Sequence, residues 1–206
     1  MFLFALRYAR FFALAQHDLK RLLAYHSVEN IGIITLGLGI GVLGLSFGST
    51  AIAVLGLGGG LLHVVNHAVF KSLLFMGAGS VAHAAGTLEI DRMGGLLRRM
   101  PMTGGTFLAG SAAISGLPPL NGFVSEFLIF CAGFTAVISR GPLLPAGAVA
   151  IASLALIGGL ASACFTKAFG IIFLGEPRTQ RVSGSRESSK AMVVPMVILA
   201  GLCMVL

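Results

Sequence analysis

An all-α bundle of membrane-crossing helices is the fold this sequence predicts. Three observations carry it. The 206 residues are 56% hydrophobic, with a mean hydropathy of +0.97 and only 10% charged, more apolar than the surface of a soluble domain allows. The apolar residues fall in long continuous runs rather than short alternating strands, which selects helices over a closed barrel. Most Lys and Arg sit in short links between the runs, where they orient a polytopic chain. The formal charge of +7 therefore gives no reason to expect nucleic acid, since there is no compact basic domain.

Residues 1–15 read as the tail of a helix interrupted by Arg7 and Arg10, without the small-residue cleavage site of a signal peptide. "HDLKRLL" follows as a charged link through Asp18, Lys20 and Arg21. Continuous apolar runs then predict helices over about 21–45 and 50–83, and "GTLEIDRMGGLLRRMP" is a basic link. The apolar region 102–139 holds "GLPPLNGF" at its centre. Two adjacent prolines flanked by glycines remove donors and bar a continuous helix, so one broken helix is expected, interrupted near 117–123. "SRGPLLP" is a turn, 146–174 a further helix and 175–190 a solvated basic loop. The last apolar run, 191–206, is shorter than the roughly twenty residues a crossing needs. The chain reads as a single membrane domain, 1–206, cut at its C-terminus. If the broken region crosses once, the links from Arg7 to Arg21, Arg92 to Arg99 and Arg178 to Lys190 share one side, the cytoplasmic one by the positive-inside rule.

Several motifs carry no chemistry. Gly37–Gly41 and Gly56–Gly60 are small-residue pairs suited to close helix approach. "GLGGG" has no following GK[ST] and is not a phosphate loop. Cys131, Cys164 and Cys203 are far apart in apolar surroundings and read as packing residues, not metal or cluster ligands. His63 and His67 have zinc spacing, but no Glu follows His63 and no third ligand is evident.

The informative residues are the ones a bilayer penalises. A Lys at mid-membrane costs about 2.5–3.5 kcal/mol on insertion scales. "HVVNHAVFK" places His63, His67 and Lys71 four residues apart, each about 40° further round the helix and about 6 Å further along. With Asn66 at its border this makes a slowly winding polar stripe, the geometry of a proton relay; imidazole titrates near neutral pH. The competing reading has Lys71 snorkelling and the histidines bonding to neighbouring helices. Glu126 lies just beyond the helix break, a place suited to ion handling or to capping a half-helix. His26, Glu29 and Asn30 form a polar patch, either relay or helix–helix glue, and Lys20 stands at the mouth of the first helix as proton uptake or as a positive-inside charge.

"HDLKRLLAYHSVENIGII", "LHVVNHAVFKSLLFMGAGSV" and "SGLPPLNGFVSEFLIF" resemble the antiporter-like membrane subunits of respiratory complex I and of Mrp cation/proton antiporters. "YHSVENIG", "NHAVFKSLLF" and "FGIIFLGEPR" are most similar to the hydrogenase-4 and formate hydrogenlyase branch. The resemblance implies inverted repeats, each with a broken helix and a half-channel, of which this chain covers the second. It implies that Lys71 is the central lysine of that repeat, His63 and His67 its preceding histidines, Glu126 the titratable residue of the broken helix and Lys20 the lysine of the "DLKR" motif. The expected function is proton translocation in the prokaryotic inner membrane, beside other membrane subunits and a peripheral redox arm, with no cofactor in this chain. Alternatives are a sodium/proton antiporter subunit and a non-transporting structural remnant.

Overall fold

The computed structural model describes residues 15–205. The helix tail expected at the N-terminus lies outside them, apart from its last residue. Among the described residues six helices of more than one turn follow one another: α1 (Leu19–Ser46), α2 (Thr50–Ala85), α3 (Pro101–Ile114), α4 (Asn121–Ile138), α5 (Leu144–Phe173) and α6 (Lys190–Val205). α1, α2, α4 and α5 are long and apolar enough to cross a membrane. Their outward faces carry large apolar side chains such as Ile31, Val54, Leu61 and Ile138, as lipid or protein surroundings require.

Local chemistry sets the helix ends. The Asp18 side chain accepts from Arg21 N–H at 2.9 Å and caps α1. Gly86, at φ 68°, closes α2 in the left-handed region. Pro101 supplies the first position of α3, where its missing N–H costs nothing. The break expected from the prolines is real: α3 ends at Ile114 and α4 begins at Asn121, with Gly116 at φ +65° between them.

α1 and α2 are joined only by residues 47–49 and pack as an antiparallel hairpin. Facing residues lie nearly equidistant from Gly48. Gly37 and Gly56 are eleven and eight residues from it, Asn30 and His63 eighteen and fifteen, Leu23 and Lys71 twenty-five and twenty-three. The glycines let the backbones nearly touch: a Cβ built on Gly56 would lie 2.6 Å from Gly41 N and 2.9 Å from the Gly37 carbonyl oxygen.

Two apolar clusters fill the bundle. One gathers Leu22, Phe70, Leu73, Phe107, Phe165 and Phe173. The other gathers Ile33, Ile40, Ile52, Ile129 and Leu154. Along α1, α2 and α4 most buried polar residues fall at the boundary between them: His26, Glu29 and Asn30; His63 and Asn66; Asn121, Ser125 and Glu126; Lys71 and Ser80 lie along the part of α2 that lines the first cluster. The fold thus holds a polar belt inside an apolar shell, with the helix break at its edge.

Candidate functional site: a buried polar belt at the helix break

Each helix brings its polar residues to the belt by one-turn spacing. On α1, His26 Nδ1 lies 2.6 Å from Glu29 Oε2. Asn30 Nδ2 donates to the His26 carbonyl at 2.8 Å, which turns its Oδ1 toward His63 Nε2 at 3.1 Å. On α2, His63 Nδ1 lies 2.8 Å from Ser125 Oγ of α4. Asn66 Nδ2 donates to the Asn121 carbonyl at 2.8 Å and to Ser125 Oγ at 3.1 Å, and Asn121 Nδ2 donates back to Asn66 Oδ1 at 3.3 Å. One continuous network therefore ties α1, α2 and the first two turns of α4 together. Buried polar groups of this kind are tolerated because they are hydrogen-bonded.

The charged residues surround this network. Lys71 is only 6% exposed. Its ammonium donates to the Leu23 carbonyl of α1 and sits 5.3 Å from the centroid of the Phe75 ring. Lys71 therefore reaches across the hairpin instead of snorkelling to the bundle end. Glu126 is 7% exposed and stands in the second turn of α4, past the positions a capping carboxylate would occupy. Gly116 leaves room for it, since a Cβ there would lie 2.8 Å from Glu126 Oε2. Glu29 is 6% exposed. Three charged side chains thus share the interior with two buried histidines, His26 and His63.

The stripe expected along α2 takes a different form. No direct hydrogen bond links His63, His67 and Lys71 among the described residues; the ring of Phe70 meets His63 and His67 edge-on at 6.0 and 5.6 Å. His67 Nε2 is buried with no hydrogen-bond partner. His63 and Lys71 instead form rungs between α1 and α2. Lys20 lies outside the belt, exposed in the first turn of α1. Asn121 and Ser125 are belt residues that the sequence reading did not single out. Their i, i+4 spacing straight after the prolines is the one signal that could have found them.

The sequence is similar to a family model described as NADH:quinone oxidoreductase/Mrp antiporter, TM, which matches residues 3–153. Among curated relatives, hydrogenase-4 component B of Escherichia coli is 44% identical over 95% of this chain and 29% of its own length. Formate hydrogenlyase subunit 3 of the same organism is 44% identical over 94% of this chain and 32% of its own. The chain therefore spans about a third of the length of these relatives. The fold superposes with a TM-score of 0.78 on a chain of the membrane-bound sulfane sulfur reductase, an archaeal respiratory membrane complex, at 28% identity, covering 98% of this chain and 30% of that one. The chain belongs to the NADH:quinone oxidoreductase/Mrp antiporter transmembrane family.

Proposed function

We propose that this chain carries one half-channel of a proton-translocating, antiporter-like subunit in a hydrogenase-type or complex I-like assembly. The observation that supports it best is the cost of the belt. Glu29, Lys71 and Glu126 are all nearly inaccessible and lie within helices apolar enough to cross a membrane, and intramembrane ionisable groups are retained where they serve transport. Glu126, Lys71, His67 and His63 pass the proton, with water bridging the gaps that no direct hydrogen bond closes. Glu29, paired with His26, sets the local charge. Because like charges disfavour one another nearby and opposite charges favour one another, a change of protonation at one site moves the preference of the next. Lys20, at the exposed mouth of α1, serves proton uptake from the bulk. The basic links face the cytoplasm across a prokaryotic inner membrane, and electron transfer belongs to redox subunits of the same assembly.

The test uses the full-length chain in its assembled complex, in sealed vesicles. Lys71→Met and Glu126→Gln each remove a protonatable charge at nearly constant volume. Both are expected to cut proton flux at least tenfold with assembly retained. Flux equal to wild type in Lys71→Met would overturn the reading.

A further inference from the structure

His63 is held on both ring nitrogens, and its two partners differ in kind. Nε2 faces Asn30 Oδ1 at 3.1 Å. The amide nitrogen of Asn30 is committed to the His26 carbonyl at 2.8 Å, so Asn30 presents an oxygen that can only accept, and Nε2 carries its hydrogen throughout. Nδ1 faces Ser125 Oγ at 2.8 Å, and a hydroxyl can donate or accept. The same Oγ lies 3.0 Å from the Gly122 carbonyl oxygen and accepts from Asn66 Nδ2 at 3.1 Å. Ser125 therefore has three acceptors in reach of one hydrogen, His63 Nδ1, the Gly122 carbonyl and, at 3.4 Å, the Asn121 carbonyl, of which the first two are the nearest.

We propose that Ser125 is the positioning residue of His63: its hydroxyl turns between His63 Nδ1 and the Gly122 carbonyl, so that His63 gains and loses a proton without any heavy atom moving. With neutral imidazole, Ser125 O–H donates to Nδ1. When Nδ1 is protonated it donates to Ser125 Oγ, and the hydroxyl swings to Gly122. In that state Oγ accepts from His63 and Asn66 and donates once, so every lone pair and hydrogen is used. Ser125 keeps its own proton in both states: while its hydroxyl is turned to Gly122 the Nδ1 lone pair is open to a bridging water of the relay, which delivers the proton there and takes it back. The turn reaches the helix break, because in an α-helix the Gly122 carbonyl is also the acceptor for Glu126 N–H. The titratable groups around His63 are His26 and Glu29 on α1, His67 and Lys71 on its own helix, and Glu126 on α4. Without the Ser125 hydroxyl, the second N–H of the imidazolium loses its acceptor inside the bundle, a situation buried polar groups avoid.

The inference rests on the relay proposed above, and one experiment separates the two. Proton flux is measured in sealed vesicles holding the assembled complex with the wild-type chain, Lys71→Met, Ser125→Ala, Ser125→Thr and Ser125→Val. Thr and Val share a shape and differ in the hydroxyl. The expected result is flux within about threefold of wild type for Ser125→Thr, and a loss of about tenfold or more for both Ser125→Ala and Ser125→Val, at equal levels of assembled complex. Equal flux in Ser125→Thr and Ser125→Val, or wild-type flux in Ser125→Ala, overturns the role of Ser125 while leaving the relay intact if Lys71→Met is inactive. Wild-type flux in Lys71→Met overturns both. Should the threonine and valine variants not assemble, Ser125→Ala alone decides, because it only removes an atom.

Discussion

Gly56→Ala is the perturbation that most directly links helix packing to the belt. A Cβ on Gly56 would sit 2.6 Å from Gly41 N, 2.7 Å from Gly41 Cα and 2.9 Å from the Gly37 carbonyl oxygen, whereas ordinary contact begins at 3.4 Å. All three are backbone atoms, so no side chain can turn aside and α1 and α2 must separate by about 0.8 Å. His63 lies seven residues along α2, two turns away and on the same face. Carried through that distance, the separation stretches the His63–Asn30 contact from 3.1 Å to about 3.9 Å, beyond hydrogen-bonding range. Overpacking of this kind costs about 1–3 kcal/mol, and opening a buried polar contact about 1 kcal/mol more. The control is Gly58→Ala on the same helix, where a Cβ meets nothing within 4 Å. Thermal unfolding in detergent and proton flux in vesicles are the assays. Gly56→Ala is expected to melt several degrees below Gly58→Ala and to lose most of its flux. Equal melting and equal flux in the two variants would refute the reasoning.

Other expectations follow from single contacts. Gly116→Ala places a side chain at φ +65° and 2.8 Å from Glu126 Oε2; about 1–2 kcal/mol of backbone strain and a displaced carboxylate should lower vesicle proton flux about tenfold at unchanged assembly, and wild-type flux would contradict it. Glu187 accepts from Met102 N at 2.8 Å, Thr103 N at 3.3 Å and Thr103 Oγ1 at 2.6 Å, capping α3 from the basic loop. Glu187→Ala should destabilise the chain by about 1–2 kcal/mol, read as a lower melting temperature in detergent. Lys20 stands exposed at the mouth of α1, where the proposed relay takes up protons, so Lys20→Ala should lower proton flux, though by less than Lys71→Met; unchanged flux would remove Lys20 from the relay.

Much of this architecture was legible because its causes are local. Pro118 and Pro119, adjacent and flanked by glycines, interrupt a helix interior through their own chemistry, so the break could be read from the sequence, and the apolar runs mark α1, α2 and α5 by length alone. What the belt connects was harder to read, because it depends on register between helices. The spacing of His63, His67 and Lys71 suggested a path along α2, yet Lys71 donates to Leu23 and His63 meets Asn30, both across the hairpin. Both pairs follow from the short link at 47–49, a constraint visible in the sequence once α1 and α2 are folded against each other. Asn121 and Ser125 were missed for a related reason. Small polar residues at a helix start look like caps, and they gain meaning only because α2 brings Asn66 and His63 to them.

The links at the two ends of the bundle are built very differently. At one end, Leu19 N–H donates to the Leu88 carbonyl at 3.0 Å, Ile90 N–H to His17 at 2.8 Å and Gly95 N–H to Leu174 at 2.9 Å, while Ser80 Oγ meets Thr103 Oγ1 at 2.9 Å and Ser188 Oγ at 2.6 Å. Connections that are distant in sequence are sewn into one plate there. At the other end, α1 turns into α2 and α4 into α5 through two short separate links, 47–49 and 139–143. A displacement that pivots at the plate therefore moves the 47–49 and 139–143 ends furthest. A pair of distance probes spanning those two ends reads such a displacement at its greatest amplitude, and the same pair set in the plate supplies the fixed reference.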